Sequence, residues 1–175
     1  MYTGLIVKLS GCLVVIFSSF VLGEYFALRS RLRLSQLYEM KMGISLLSAD
    51  IEMNLTPAAI SALKTAQRLK EPVSEIFKDF GERLKEGERV EGAWASALNQ
   101  NGVKTFLKEE DIEGLSPLGK ILECLDVERQ EKGLEAVRGY IERKTGELEG
   151  EFLKNQRLYR SISLLGGIFT AVVLF

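Results

Sequence analysis

The sequence predicts an all-α protein: an antiparallel bundle of about six helices, flanked by N- and C-terminal transmembrane helices. Three observations carry this. Apolar residues recur at steps of three and four, as in Leu37, Met40, Ile44, Leu47 and Ile51, which places them on one helix face. β-Branched alternation is nearly absent, and the chain holds only 3 prolines. Charge is confined to the middle of the chain. Residues 24–160 hold all 24 acidic residues and every basic residue except Lys8.

The first element is apolar. It contains LSGC at 9–12, the pattern of a lipoprotein cleavage site, but the main apolar run, Leu13 to Leu22, follows the cysteine instead of preceding it. Cleavage at Cys12 would leave that run on the mature protein, so an uncleaved helix is the better reading. Residues 5–23 carry one charge, Lys8, and at about 1.5 Å each they reach about 28 Å, the thickness of a hydrocarbon core. At the other end, SISLLGGIFTAVVLF is uncharged. Extended back to Leu158, it gives a transmembrane or membrane-inserted helix over 158–175. Arg29, Arg31 and Arg33 follow the first segment, and Lys154, Arg157 and Arg160 flank the second. Both clusters border the domain at 29–157, so the positive-inside bias places that domain in the cytoplasm of a cell-membrane protein.

Within the domain, the Leu37–Ile51 stripe follows the first segment with no break but the arginines, so one helix runs through both. NLTPAAIS offers Thr56 as N-cap and Pro57 at the first helical position, with Ile60, Leu63 and Ala66 as the apolar side. Pro72 opens a third helix, striped by Val73, Ile76, Phe77, Phe80 and Leu84 and ended by Gly87 in the C′ position. Val90, Ala93, Trp94, Ala97 and Leu98 mark a fourth, and NQNG at 99–102 reads as a turn. Leu107, Ile112 and Leu115 look helical. Pro117 kinks that helix or starts another, carrying Leu118, Ile121, Leu122 and Leu125. Val127 to Arg160 suits one long helix with Leu134, Val137, Ile141, Leu148 and Phe152 on its dry side. Glu128–Lys132 and Arg143–Glu147 are i,i+4 pairs on its wet side.

Composition removes whole classes of function. There is no histidine, hence no imidazole base, ligand or triad. The two cysteines, Cys12 and Cys124, fall in different compartments, so neither a disulfide nor a zinc site is expected. Net charge is −1, against a nucleic-acid surface. PLGK at 117–120 lacks the other parts of a P-loop. The acids Glu109, Glu110, Asp111 and Glu113 lack EF-hand spacing and suit the first turn of a solvated helix. Trp94 reads as core. Gly133, Gly139, Gly146 and Gly150 either permit close helix approach or are tolerated, and the Gly166–Gly167 pair is open between a contact point and a flexible one. No catalytic, cofactor-binding or metal residues, no small-molecule substrate and no enzymatic activity are expected.

Longer stretches carry a resemblance. LYEMKMGISLLSADIEMNLTPAAISALKTAQRL, EPVSEIFKDFGERLKEGERVEGAW, LKEEDIEGLSPLGKILECLDVERQEK and KNQRLYRSISLLGGIF resemble the stage III sporulation protein AB family of endospore-forming bacteria over nearly the whole length. Pro117 and Glu123–Cys124 depart from the family pattern, which puts the local helix geometry in question. The N-terminal half is also similar to the cytoplasmic domain of the F platform protein of type II secretion and type IV pili. The resemblance implies a non-enzymatic platform or adaptor. Its place would be on the mother-cell side of the membrane around the forespore. It would couple the secretion-type ATPase, stage III sporulation protein AA, to other membrane proteins of the channel between the two cells. A static scaffold that ignores the ATPase is the alternative.

Overall fold

The computed structural model describes the backbone of residues 2–124 and 126–174, and the side chains of residues 25, 28–52, 54–124 and 126–151. The chain forms helices α1 (Tyr2–Asn54), α2 (Ala58–Ala66), α3 (Val73–Lys85), α4 (Val90–Gly102), α5 (Glu109–Leu115), α6 (Leu118–Glu123) and α7 (Val127–Leu174). No strand occurs among the described residues. The all-α expectation holds. The first domain helix and the N-terminal apolar segment are one helix, roughly 80 Å long at 1.5 Å per residue. The expected membrane segments at 5–23 and 158–175 lie outside the residues whose side chains are described. Among the described residues no helix is long and apolar enough to cross a membrane.

α1 and α7 run antiparallel. Going up α1, Tyr38 Oη donates to Glu149 (2.7 Å), Lys41 pairs with Glu142 (2.7 Å), and Ser48 Oγ receives Arg138 Nη2 (3.0 Å), so position falls on α7 as it rises on α1. The short helices zigzag alongside. The Lys70 amide reaches Glu39 and the Phe106 amide reaches Gln36, which places the α2–α3 and α4–α5 connections beside residues 36–39 of α1, away from its C-terminal end. Leu55, Gly87 and Cys124 mark the opposite, distal end, where Arg89 pairs with Glu123.

The core is the predicted one in most places. Leu37, Met40, Ile44 and Leu47 of α1, Val73, Ile76, Phe77 and Phe80 of α3, Ala93, Trp94, Ala97 and Leu98 of α4, and Leu134, Val137, Ile141 and Leu148 of α7 are buried together. Trp94 sits edge-on to Phe77 and Phe80, with centroids 5.6 and 5.3 Å away, and its Nε1 donates to the Leu115 carbonyl (3.0 Å). The aromatic cluster thus gains quadrupole complementarity, and its one polar atom is satisfied.

Several details differ from the reading of the sequence. α2 buries Ser61, Ala62 and Thr65, while Ile60 is exposed, because only small residues let α2 lie close against its neighbours. Pro57 is its N-cap rather than its first helical residue, and Thr56 makes no cap bond. Residues 99–102 are helical, not a turn. Asn101 satisfies itself on the Asp79 carboxylate (2.9 Å) and the Ala97 carbonyl (3.2 Å), and glycine at 102 leaves room for Ile112, whose Cδ1 would lie 2.8 Å from a Cβ there. Pro117 does start a separate helix, as N-cap of α6. Gly87, at φ +90°, is the C′ residue of α3 as expected. Glu128–Lys132 pair (2.6 Å), but Glu147 pairs with Lys144 (3.2 Å), and Arg143 lies over the Tyr140 ring instead (5.6 Å). Leu125, Phe152, Lys154, Arg157, Arg160, Cys12 and the Gly166–Gly167 pair fall outside the described side chains.

Candidate functional site: a buried arginine between the long helices

α5 is short, packs against α4 and α7, and reaches α1 through its acidic side chains. Its N-terminus is fixed by its own acid: the Lys108 amide donates to Asp111 Oδ2 (2.8 Å), a side chain three residues ahead turned back on the helix start. That turn buries Asp111 completely and aims it at α1. There Arg33, only 6% exposed, donates Nε to Asp111 Oδ2 (2.7 Å) and Nη2 to Oδ1 (2.8 Å). The same Nη2 reaches Glu110 Oε1 (2.7 Å). From α7, the Tyr140 hydroxyl donates to the Glu110 carbonyl (2.7 Å) and lies 3.2 Å from Asp111 Oδ1, and Lys144 Nζ donates to Glu110 Oε2 (3.1 Å). Gly114 makes room for the Tyr140 ring, whose Cε1 would lie 2.5 Å from a Cβ there. Arg33, two carboxylates, a phenol and an ammonium therefore join α1 and α7 through α5.

The electrostatics follow from this geometry. Burial by itself would lower the Arg33 pKa, but its hydrogen bonds to Asp111 and Glu110 outweigh this and raise it. Hydrogen bonds from Arg33 and then Lys144 hold the Glu110 carboxyl below the usual range. Burial, with the Asp111 charge beside it, pushes the Tyr140 phenol up, so it stays a donor. Both oxygens of Asp111 are occupied by donors. In this arrangement the acidic group behaves as structure: a carboxylate engaged by a fork of two N–H groups, an amide and a phenol has no lone pair directed at a substrate. No cluster suited to a metal ion occurs among the described residues.

The residues expected to set membrane orientation separate into two groups. Arg33 turns inward, and its charge is neutralised by Asp111 and Glu110. Arg29 is exposed, with its guanidinium 5.7 Å from the Tyr25 ring centroid and 5.9 Å from that of Phe106. Arg31 is also exposed and lines an open groove with Leu34, Ser35 and Tyr38. The sequence reading missed Asp111, Glu110, Tyr140 and Lys144 as a unit. An acid three residues past the start of a helix was the visible signal, and it suggested only a cap; the partner, 78 residues away, left no local trace.

The fold and this site define an all-helical bundle protein whose most elaborate polar arrangement, among the described residues, is one that holds helices together. The family model for stage III sporulation protein AB matches residues 8–175, and the chain belongs to that family. It is 24% identical to stage III sporulation protein AB of Bacillus subtilis (strain 168) over 168 residues, 95% of this chain and 98% of the relative. A solved structure of a stage III sporulation protein AB superposes with a TM-score of 0.67 at 24% identity, covering 70% of this chain and 97% of that one, a likeness of fold.

Proposed function

We propose that the chain is a non-enzymatic membrane platform. Segments 5–23 and 158–175 anchor it, the bundle at 29–157 faces the cytoplasm, and it couples a secretion-type ATPase, stage III sporulation protein AA, to a membrane complex between mother cell and forespore. Arg29, Arg31, Lys154, Arg157 and Arg160 set the orientation. Membership of a sporulation family supports the setting. The observation that carries the coupling role is the Arg33 clasp. It bonds α1 to α7 through α5, so the two helices that lead toward the anchors behave as one body. A load applied to the distal end of such a body reaches both anchors.

The test is binding of the purified ATPase to the full chain in proteoliposomes, with ATP turnover followed in parallel. Saturable binding is the expected result. No binding by the folded, membrane-integrated chain refutes the platform and leaves the static scaffold. Replacing 5–23 and 158–175 by unrelated membrane segments separates the two readings further, because the platform keeps ATPase binding and the scaffold loses its assembly.

A further inference from the structure

The connection between α4 and α5 combines features that the clasp does not use. Val103 is 83% exposed and Phe106 37% exposed, with Lys104 and Lys108 exposed beside them. Lys104 Nζ gives one of its three protons to Asn101 Oδ1 (3.0 Å), which leaves two. The connection is held against α1: the Phe106 amide donates to Gln36 Oε1 (2.7 Å), and the Phe106 ring packs on the Arg29 guanidinium, which also covers Tyr25. Tyr25 and Leu28 are themselves 55% and 54% exposed. Aromatic and aliphatic side chains interleaved with Arg29, Lys104 and Lys108 therefore form one end of the bundle. On the connection itself the acids are fewer: exposed Glu109 follows Lys108, and Glu110 is taken by Arg33 and Lys144, while exposed Glu149 and Glu151 belong to α7.

The position of this patch along α1 is what selects its partner. Arg29 lies six residues beyond Gly23, about 9 Å along the helix, and its guanidinium reaches back over Tyr25 to the edge of a headgroup layer about 5–8 Å deep. We propose that the 103–108 connection is a third membrane contact, in which Val103 and Phe106 enter the interface and Lys104 and Lys108, with Arg29, meet anionic phospholipid headgroups. Exposed apolar side chains flanked by cations are the composition that binds such a surface. With α1 and α7 as the other two attachments, this contact would fix the tilt of the bundle. The inference rests on the anchoring of residues 5–23 proposed above.

The test uses the full chain with Cys12 and Cys124 replaced by serine and one cysteine placed at Val103, carrying a polarity-sensitive fluorophore. The protein is reconstituted in phosphatidylglycerol–phosphatidylcholine vesicles or in phosphatidylcholine alone. The expected result is blue-shifted emission, quenched by headgroup-labelled lipid, in the anionic vesicles. The shift should be smaller in neutral ones and reduced by Lys104→Glu with Lys108→Glu, while the same probe at Leu55 stays in water. A probe at 103 as water-exposed as one at 55, in a chain that resists carbonate extraction, overturns the contact and leaves the anchor standing. Release of the chain by carbonate overturns both.

Discussion

Arg33 and Asp111, 78 residues apart, meet through two hydrogen bonds of 2.7 and 2.8 Å inside the protein, and neither is free to turn toward solvent. A pair of this kind is a constraint on geometry more than a source of stability. Desolvation cancels most of its Coulombic gain, but breaking it strands a buried charge. The consequences can be measured.

Arg33 and Arg138 make a contrast. Arg138 of α7 donates only to Ser48, and its buried Nε has no acceptor among the described residues. Arg138→Met should change stability by less than about 1 kcal/mol in either direction, since an unsatisfied polar atom goes with the lost bond. Arg33→Met strands Asp111 and should cost about 3–5 kcal/mol. Chemical denaturation of both variants checks the difference.

Acid should weaken the clasp in a defined window. The folded Glu110 pKa is lowered, first by Arg33 and then by Lys144, so its contribution is complete above the unfolded carboxylate value and is lost as pH falls through the folded one. Unfolding measured from about pH 6 to about pH 3 should show stability falling below about pH 4.5, and Glu110→Gln should flatten that fall. Identical pH profiles for the two proteins would remove Glu110 from the network.

Glycines test packing in both directions. A Cβ at Gly43 would lie 2.5 Å from the Phe77 ring and 2.8 Å from Leu69, so Gly43→Ala should destabilise by about 1–3 kcal/mol. Gly146 has open space around it within α7, so Gly146→Ala should stabilise by about 0.5–1 kcal/mol through helix propensity alone. Paired thermal melts settle the signs.

Phe80→Asp would put a charge beside Trp94 in the aromatic cluster, at a cost of several kcal/mol, comparable to the 5–15 kcal/mol a domain typically has. Trp94 is the single tryptophan and is fully buried, so its emission reports the result directly. Red-shifted emission is expected, and wild-type emission would mean that the facing of α3 is wrong.

The stripes of α1, α3, α4 and α7 were legible because large apolar residues at helical spacing have one place to go. Gly87 and Pro117 were legible because their backbone chemistry acts locally. α2 was misread in part because it packs through Ala62 and through Ser61 and Thr65, small polar residues that a hydropathy pattern counts as wet, while Leu63 and Ala66 are half-buried. The NQNG stretch was misread because Asn101 satisfies its amide on Asp79, across the bundle. Arg33 was read by its charge and its nearness to an apolar segment, which describes Arg29 and Arg31, the two that stay exposed. Its actual partners depend on where α4 and α7 hold α5, which is a tertiary event.

The most direct test of the account is a double-mutant cycle on Arg33→Leu and Asp111→Leu in the full chain, read by chemical denaturation with Trp94 emission. Each single variant strands one buried charge and should lose about 3–5 kcal/mol, while the double variant should lose clearly less than the sum, a coupling of about 2 kcal/mol or more. Additive losses, within about 0.5 kcal/mol, would mean that Arg33 and Asp111 do not act as a pair and that the polar link between the two long helices is left to the direct bonds of Tyr38, Lys41 and Ser48 to α7.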